Sequence, residues 1–411
     1  MDFHFDFREI FRSGRLGFSA KKIFIHFVGL LIAYIIYEIL IYLSLLITSI
    51  DSAKEFWGNH ALLPTCPFIT DYGGFEPITK IVMWVGMFVY FAAFFLTSTM
   101  VSKVTIQQLR GDHFFSIGES VVFTKKKWKV IFGTFIGVAL IFALVLITPI
   151  TIGLLGMIPV VGHWIVMLSS ILMPIAFFMG LLMAYLIIVF GIGLLFVPSV
   201  IAAADSDVFE TIEQHFSIIW NQPWRIVVYE GLLLLTKTVC GLVWSFFCLI
   251  GFVLILLPIR FLIHNEVGIF MAHANGFLGN LIQKLPNSVG QMAVFDLVTP
   301  QSTDPVALKI TGFIIAITIL SILALIMAYV LSIASVGNTV IYSILRKRTD
   351  GENLLEDKED LVPTFPDKGQ EETDSGGTQE NAESASEVSE TPRGEIAIDP
   401  VETNEEGKTE E

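Results

Sequence analysis

The sequence predicts an all-α integral membrane protein with about six transmembrane helices, cytoplasmic interfacial amphipathic helices and a disordered acidic tail. Three observations lead there. Of 411 residues, 54% are hydrophobic and only 16% charged, and the mean hydropathy of +0.71 lies outside the soluble globular range. Long apolar runs recur along the chain, and lipid satisfies no exposed strand edge, so those runs must be helices. Charge is also partitioned, with 21 acidic and 4 basic side chains in residues 349–411 against 18 acidic and 21 basic in residues 1–348.

A hydrocarbon core of about 30 Å takes about 20 helical residues to cross. The expected spans are 23–50, 78–101, 130–150, 170–198, 226–258 and 308–342, within a membrane domain of residues 23–345. After the third span, "TPITIGLLGMIPVVG" supplies prolines and glycines that favour a turn or a re-entrant piece. The fourth has room to start at His163, either as a tilted helix kinked at Pro174 or as a half-helix plus a span. The first apolar run is too long for a signal-peptide core and has no small-residue cleavage site behind it.

Basic residues near span ends set the orientation. With the amino terminus in the cytoplasm, fifteen lie inside, among them Arg8, Arg12, Arg15, Lys125 to Lys127, Arg225 and Arg346 to Arg348; only Lys54, Lys80, Arg260, Lys284 and Lys309 lie outside. Six spans with both ends cytoplasmic satisfy the rule. Residues 1–22, which mix Phe with Arg, are expected to lie on the inner interface, and the stretch 260–307 to form a helix in the outer one. The tail, 349–411, has too few large apolar side chains to offset its ordering entropy. A solubilising tail and a protein-binding tail are both open readings, the lipid bilayer is the expected partner, and no feature calls for nucleic acid.

Two polar stretches interrupt the apolar chain on the inner side. In "ADSDVFETIEQHFSIIWNQPWR", Asp207 and Glu210 have the spacing of a capping box, in which each side chain accepts from a free first-turn amide. At 100° per residue, Val208, Phe209, Ile212, Phe216, Ile219 and Trp220 share a face of about 120°, opposite Glu210, Thr211, Glu213, Gln214, His215 and Ser217. That predicts a buried apolar face and a wet polar one. Pro223 ends the helix, and Trp224 with Arg225 marks the interface where the fifth span enters. In "RGDHFFSIGESVVFTKKKWK", setting Phe115 on Phe209 puts Glu119 on Glu213, and Trp128-Lys129 then matches Trp224-Arg225 after a two-residue length difference. The pair hints at a duplicated unit of span, capped amphipathic helix, Trp-basic and span.

The string "VPSVIAAADSDVFETIEQHFSIIWNQPWR" resembles a pattern in uncharacterised bacterial multipass proteins related to the membrane domain of glycerophosphoryl diester phosphodiesterases. The resemblance covers about thirty residues, and the six-span layout loosely. It implies a membrane module without the catalytic barrel, and it carries over no catalytic residues.

The remaining residues offer little chemistry. Eight histidines are scattered, and none has the two-His-plus-Glu spacing of a zinc hydrolase. His264, Glu266 and His273 form the densest group, which reads as a solvated face rather than a metal site. Cys66, Cys240 and Cys248 make no disulfide framework. Gly133 and Gly137 form a small-xxx-small pair suited to close helix packing. The expectation is a protein with no enzymatic activity, no catalytic or metal site and no cofactor. Glu38, near the middle of the first span, and Lys237, about three turns into the fifth, are the informative ionisable residues. They suggest either an interior polar pair or a path for a proton or solute.

Overall fold

In a computed structural model the chain forms eleven helices among the described residues, 5–65, 76–159, 161–281, 304–351 and 353–356. They are α1 (Arg8–Gly17), α2 (Ala20–Thr48), α3 (Ile50–His60), α4 (Pro77–Arg110), α5 (Ile117–Gly156), α6 (Val161–Ser170), α7 (Met173–Ala204), α8 (Val208–Asn221), α9 (Pro223–Leu262), α10 (His264–Phe277) and α11 (Val306–Asp350). Six of them, α2, α4, α5, α7, α9 and α11, are long and apolar enough to cross a membrane. The protein is an all-α multipass membrane protein. Residues 362–411, most of the expected tail, lie outside the described residues, as does Cys66.

Both ends of the described chain meet on one side. Asp6 pairs with Arg348 at 3.4 Å, and the Lys347 ammonium stands 3.7 Å over the Phe5 ring. We call this the terminal side.

The spans are unequal in burial along their length. Toward the terminal side, α4 buries Val101, Val104 and Ile106, α7 buries Phe196 to Ala203, and α11 buries most of Ala328 to Leu345. Ile106, Phe196, Val200, Ala203 and much of α11 form one apolar core with Ile10 of α1, Ile219 of α8 and Tyr229 of α9, while Val101 with Val104 and Val197 with Ile201 belong to two smaller clusters. Toward the far side α5, α7 and α9 show Leu140, Leu144, Phe177, Phe178, Leu254 and Ile255 on their surfaces, which lipid solvates at no cost. At 45 residues and 1.5 Å per residue, α11 is about 68 Å long, roughly twice what a bilayer needs.

Several elements differ from expectation. The third span does not end at Ile150: α5 runs on through Pro149 to Gly156, and α6 then folds back against it, Gly162 meeting the Gly156 carbonyl at the turn. A break of two residues separates α6 from α7, and Pro174 stands in the first turn of α7, where its missing N–H costs no helix bond. The amino-terminal helix does not lie free on the surface but packs against α9 and α11, with Glu9 and Ile10 buried. On the far side, α10 packs along α11 through Val267, Phe270 and Met271 and is held by a 2.9 Å bond between His273 and Asp304. His273 therefore serves helix pairing, and no metal-ligand group of three occurs among the described residues.

The ordered chain also outlasts the expected boundary at residue 349. Thr349 and Asp350 close α11, whose Gly351 cap is left-handed, and Leu354 then returns to the core at 4% exposure. Arg110 clamps its carbonyl through Nε at 3.0 Å and Nη2 at 2.9 Å.

Candidate functional site

Glu38 and Lys237 are not brought together as an ion pair. Glu38 sits on α2 between Tyr34 and Tyr42, one turn away on either side, and its electrostatic neighbours are those two tyrosines and Tyr90 of α4. Lys237 has Glu230 of its own helix as its charged neighbour. One carboxylate oxygen of each acid, Oε1, is buried with no hydrogen-bond partner among the described residues.

The tyrosines around Glu38 are occupied elsewhere. Tyr34 donates to the Leu62 carbonyl at 2.7 Å, Tyr37 to Thr65 at 2.7 Å and Tyr42 to Ala61 at 2.5 Å. They hold residues 61–65, where α3 returns along α2, and Leu62 in turn donates to the Phe277 carbonyl at the end of α10. Tyr37 meets Tyr90 edge to face with centroids 5.3 Å apart. The far side is thus stitched by phenol-to-backbone bonds in which Glu38 takes no part.

Nearer the terminal side lies a polar seam that the sequence reading passed over. His26 of α2 bonds Thr97 of α4 through Nδ1 at 3.0 Å and Ser335 of α11 through Nε2 at 3.1 Å. Thr97 donates its own hydroxyl to the Ala93 carbonyl, so it accepts from His26; Nδ1 then carries the proton and Nε2 accepts from Ser335. Ser199 of α7 approaches Thr339 at 3.3 Å, and the Asn338 amide donates to the Leu195 carbonyl at 2.9 Å. Nearby, Ser332 donates to the Gly17 carbonyl and Ser343 to Thr339 of its own helix, while the buried Ser98 and Ser102 hydroxyls have no hydrogen-bond partner among the described residues. A signal was present: hydroxyls at 98, 102 and 105 and at 332, 335, 339 and 343 recur at three- and four-residue steps, placing each set on one helix face.

The segment 204–225 forms α8, a strap across the bundle. Val208 and Ile212 sit on Gly133 and Gly137 of α5, His215 lies beside Gly193 of α7, Gln214 accepts from Tyr342 of α11, and Gln222 donates to Thr349 at 2.6 Å. Asp207 caps the helix, accepting from the Glu210 amide at 2.9 Å. Glu210 does not reciprocate and instead takes the Gln214 side-chain amide at 3.0 Å, so only half of the expected box forms. Trp224 is exposed, with Arg225 stacked 5.7 Å over its ring and bonded to Gln222 at 3.2 Å.

The faces of α8 match expectation only in part: Val208, Ile212 and Ile219 pack inward and Glu210 and Glu213 are exposed as expected, but two aromatic and three polar residues trade places. Thr211, Gln214, His215 and Ile218 are buried against the protein, while Phe209 and Trp220 are 77% and 74% exposed. The reason is a third medium: where lipid is present, the aromatic side turns to it, and the polar side is free to bond the bundle. Burial holds the His215 imidazole below its ordinary value, outweighing the backbone at Thr211 and Gly193. Its Nδ1 donates to the Thr211 carbonyl at 2.5 Å.

The complete capping box lies at the start of α5, between Ser116 and Glu119. Aligning caps pairs Ser116 with Asp207 and Glu119 with Glu210, not Glu119 with Glu213. The two units also differ in build. No proline stands between Ile117 and Thr148, so the capped segment bearing Glu119 and Trp128 is the first part of the span helix itself, whereas Pro223 separates α8 from α9. No family model, curated protein or solved structure matches the chain.

Proposed function

We propose that the chain is a non-enzymatic multipass protein of the bacterial inner membrane, with both termini cytoplasmic, acting as a scaffold in an envelope or lipid-related process. The packed seam through His26, Thr97 and Ser335 carries this reading, because a bundle shut by three-helix hydrogen bonds suits a fixed platform better than an alternating path. Fifteen basic residues on the terminal side support a cytoplasmic placement. The likeness of residues 197–225 to membrane modules of phosphodiesterases agrees with a lipid-related role, and the acidic tail offers a contact for a protein partner.

Transport of a small solute or lipid is the second reading, favoured by the unpartnered Glu38 oxygen. Complementation of a deletion strain separates the two. Glu38→Gln, expressed and folded as the parent, should restore envelope integrity under a scaffold role. Loss of rescue at normal protein levels would replace it with transport.

A further inference from the structure

A half-open cavity of about 470 Å³ lies where the α1–α2 junction meets α9 and α11, lined by Phe18, Ile23, Phe24, Phe27, Trp244 and Leu325. Its wall is a fixed aromatic cluster. Phe18 meets Trp244 edge to face at 5.1 Å, and both meet Tyr329, at 5.3 and 5.9 Å. Such a hollow among apolar spans suits a hydrocarbon chain, which the surrounding medium supplies.

Two further observations say which kind of molecule. The Trp244 indole N–H is buried without an acceptor among the described residues, a rare state that an incoming oxygen would relieve. Two cations also stand on the terminal side of the cavity. Lys237 precedes Trp244 by seven residues, two turns on the same face of α9, and so lies about 10 Å nearer the terminal side. Arg15 precedes Phe18 by three residues in the last turn of α1. That turn is pinned in place: Gly14 abuts Cys240, Tyr329 donates to the Gly14 carbonyl at 3.2 Å, and Ser332 donates to Gly17 at 2.8 Å. Neither Arg15 nor Lys237 forms an ion pair with a described residue, and Glu230 is a charged neighbour of Lys237.

We propose that this cavity holds one acyl chain of an anionic glycerophospholipid, with its ester carbonyl accepting from Trp244 and its phosphate between Arg15 and Lys237. Chain, ester and phosphate follow one another in a lipid in the order in which Leu325, Trp244 and Lys237 occur from the middle of the bundle toward the terminal side. Two cations against the single Glu230 favour a net negative headgroup over a zwitterionic one.

The full chain is reconstituted in vesicles containing phosphatidylglycerol or phosphatidylethanolamine brominated in mid-chain, at equal mole fraction. The fluorescence quenched in the parent but absent from Trp244→Phe reports occupancy of the cavity. Phosphatidylglycerol should quench it preferentially, and Arg15→Gln and Lys237→Gln should each reduce the preference about fivefold. Equal quenching by the two lipids, or a preference that survives the double variant, overturns the proposal. Native mass spectrometry of the parent and the Arg15→Gln, Lys237→Gln variant gives a second measurement independent of Trp244. A phosphatidylglycerol adduct should be retained by the parent and lost from the variant, and equal retention also overturns it.

Discussion

Gly137 of α5 gives Ile212 of α8 its seat: a Cβ added there would stand 2.6 Å from the Ile212 Cδ1. One turn earlier, a Cβ at Gly133 would stand 2.9 Å from a Val208 methyl, so the small-xxx-small pair serves the strap within one chain. Leucine at either position has to displace α8. We expect Gly133→Leu and Gly137→Leu to cost about 1–3 kcal/mol, read as a lower midpoint of unfolding in detergent. Gly180→Leu, at a glycine with nothing within 4 Å, is the control and should leave the midpoint near the parent's.

The His26 bridge predicts coupling across three spans. Replacing His26 by Leu strands the Ser335 hydroxyl and removes the donor to Thr97. A double-mutant cycle of His26→Leu with Ser335→Ala should return a coupling of about 0.6 to 1.7 kcal/mol. Additive losses would mean that the two residues act independently.

Stability should fall with acidification through His215. Its folded-state value is depressed, so below about pH 6.5 the unfolded chain binds a proton that the folded chain refuses. Its contribution is complete above that pH and is lost progressively as pH falls toward the folded value. His215→Gln should flatten the fall in unfolding midpoint between pH 7 and pH 5. A slope equal to the parent's would place the pH dependence elsewhere.

The chain beyond α11 should be released by a single substitution. Arg110→Ala removes both bonds to the Leu354 carbonyl, and Leu354→Asp puts a charge into the core. Limited proteolysis should cut residues 351–356 severalfold faster in either variant, with the spans left intact. Cleavage at the parent's rate in both would show that the clamp contributes nothing to local order.

What the sequence made legible follows from how many media surround each residue. The six spans were readable because hydrocarbon leaves the backbone no alternative to helix, and the caps at Asp207 and Pro223 were readable because they are local. The places of Phe209, Trp220 and His215 on α8 were not, because a two-medium rule sends the aromatics inward; with lipid alongside they turn outward and His215 turns in. The continuity of α5 through Pro149 was hidden by a rule of thumb that reads proline as a break, and the same rule left a kinked helix and a half-helix plus a span both open at Pro174. A proline removes one donor, and lipid-facing helices accommodate that loss when neighbouring turns hold. Glu38 and Lys237 drew notice as isolated charges, yet the bundle is tied together by uncharged hydroxyls that hydropathy averages away.

The last helix also sets the timing of assembly. Tyr329 and Ser332 of α11 bond the carbonyls of Gly14 and Gly17, so α1, made early, waits for α11. About 315 residues separate each pair, and at 5–20 residues per second the delay is roughly 15 to 60 s. During that interval α2, α4, α5, α7 and α9 enter the membrane one after another, each without α11 to pack against. A nascent chain stalled before Val306 should therefore be protease-sensitive on its terminal side, with resistance arriving in one step as α11 enters.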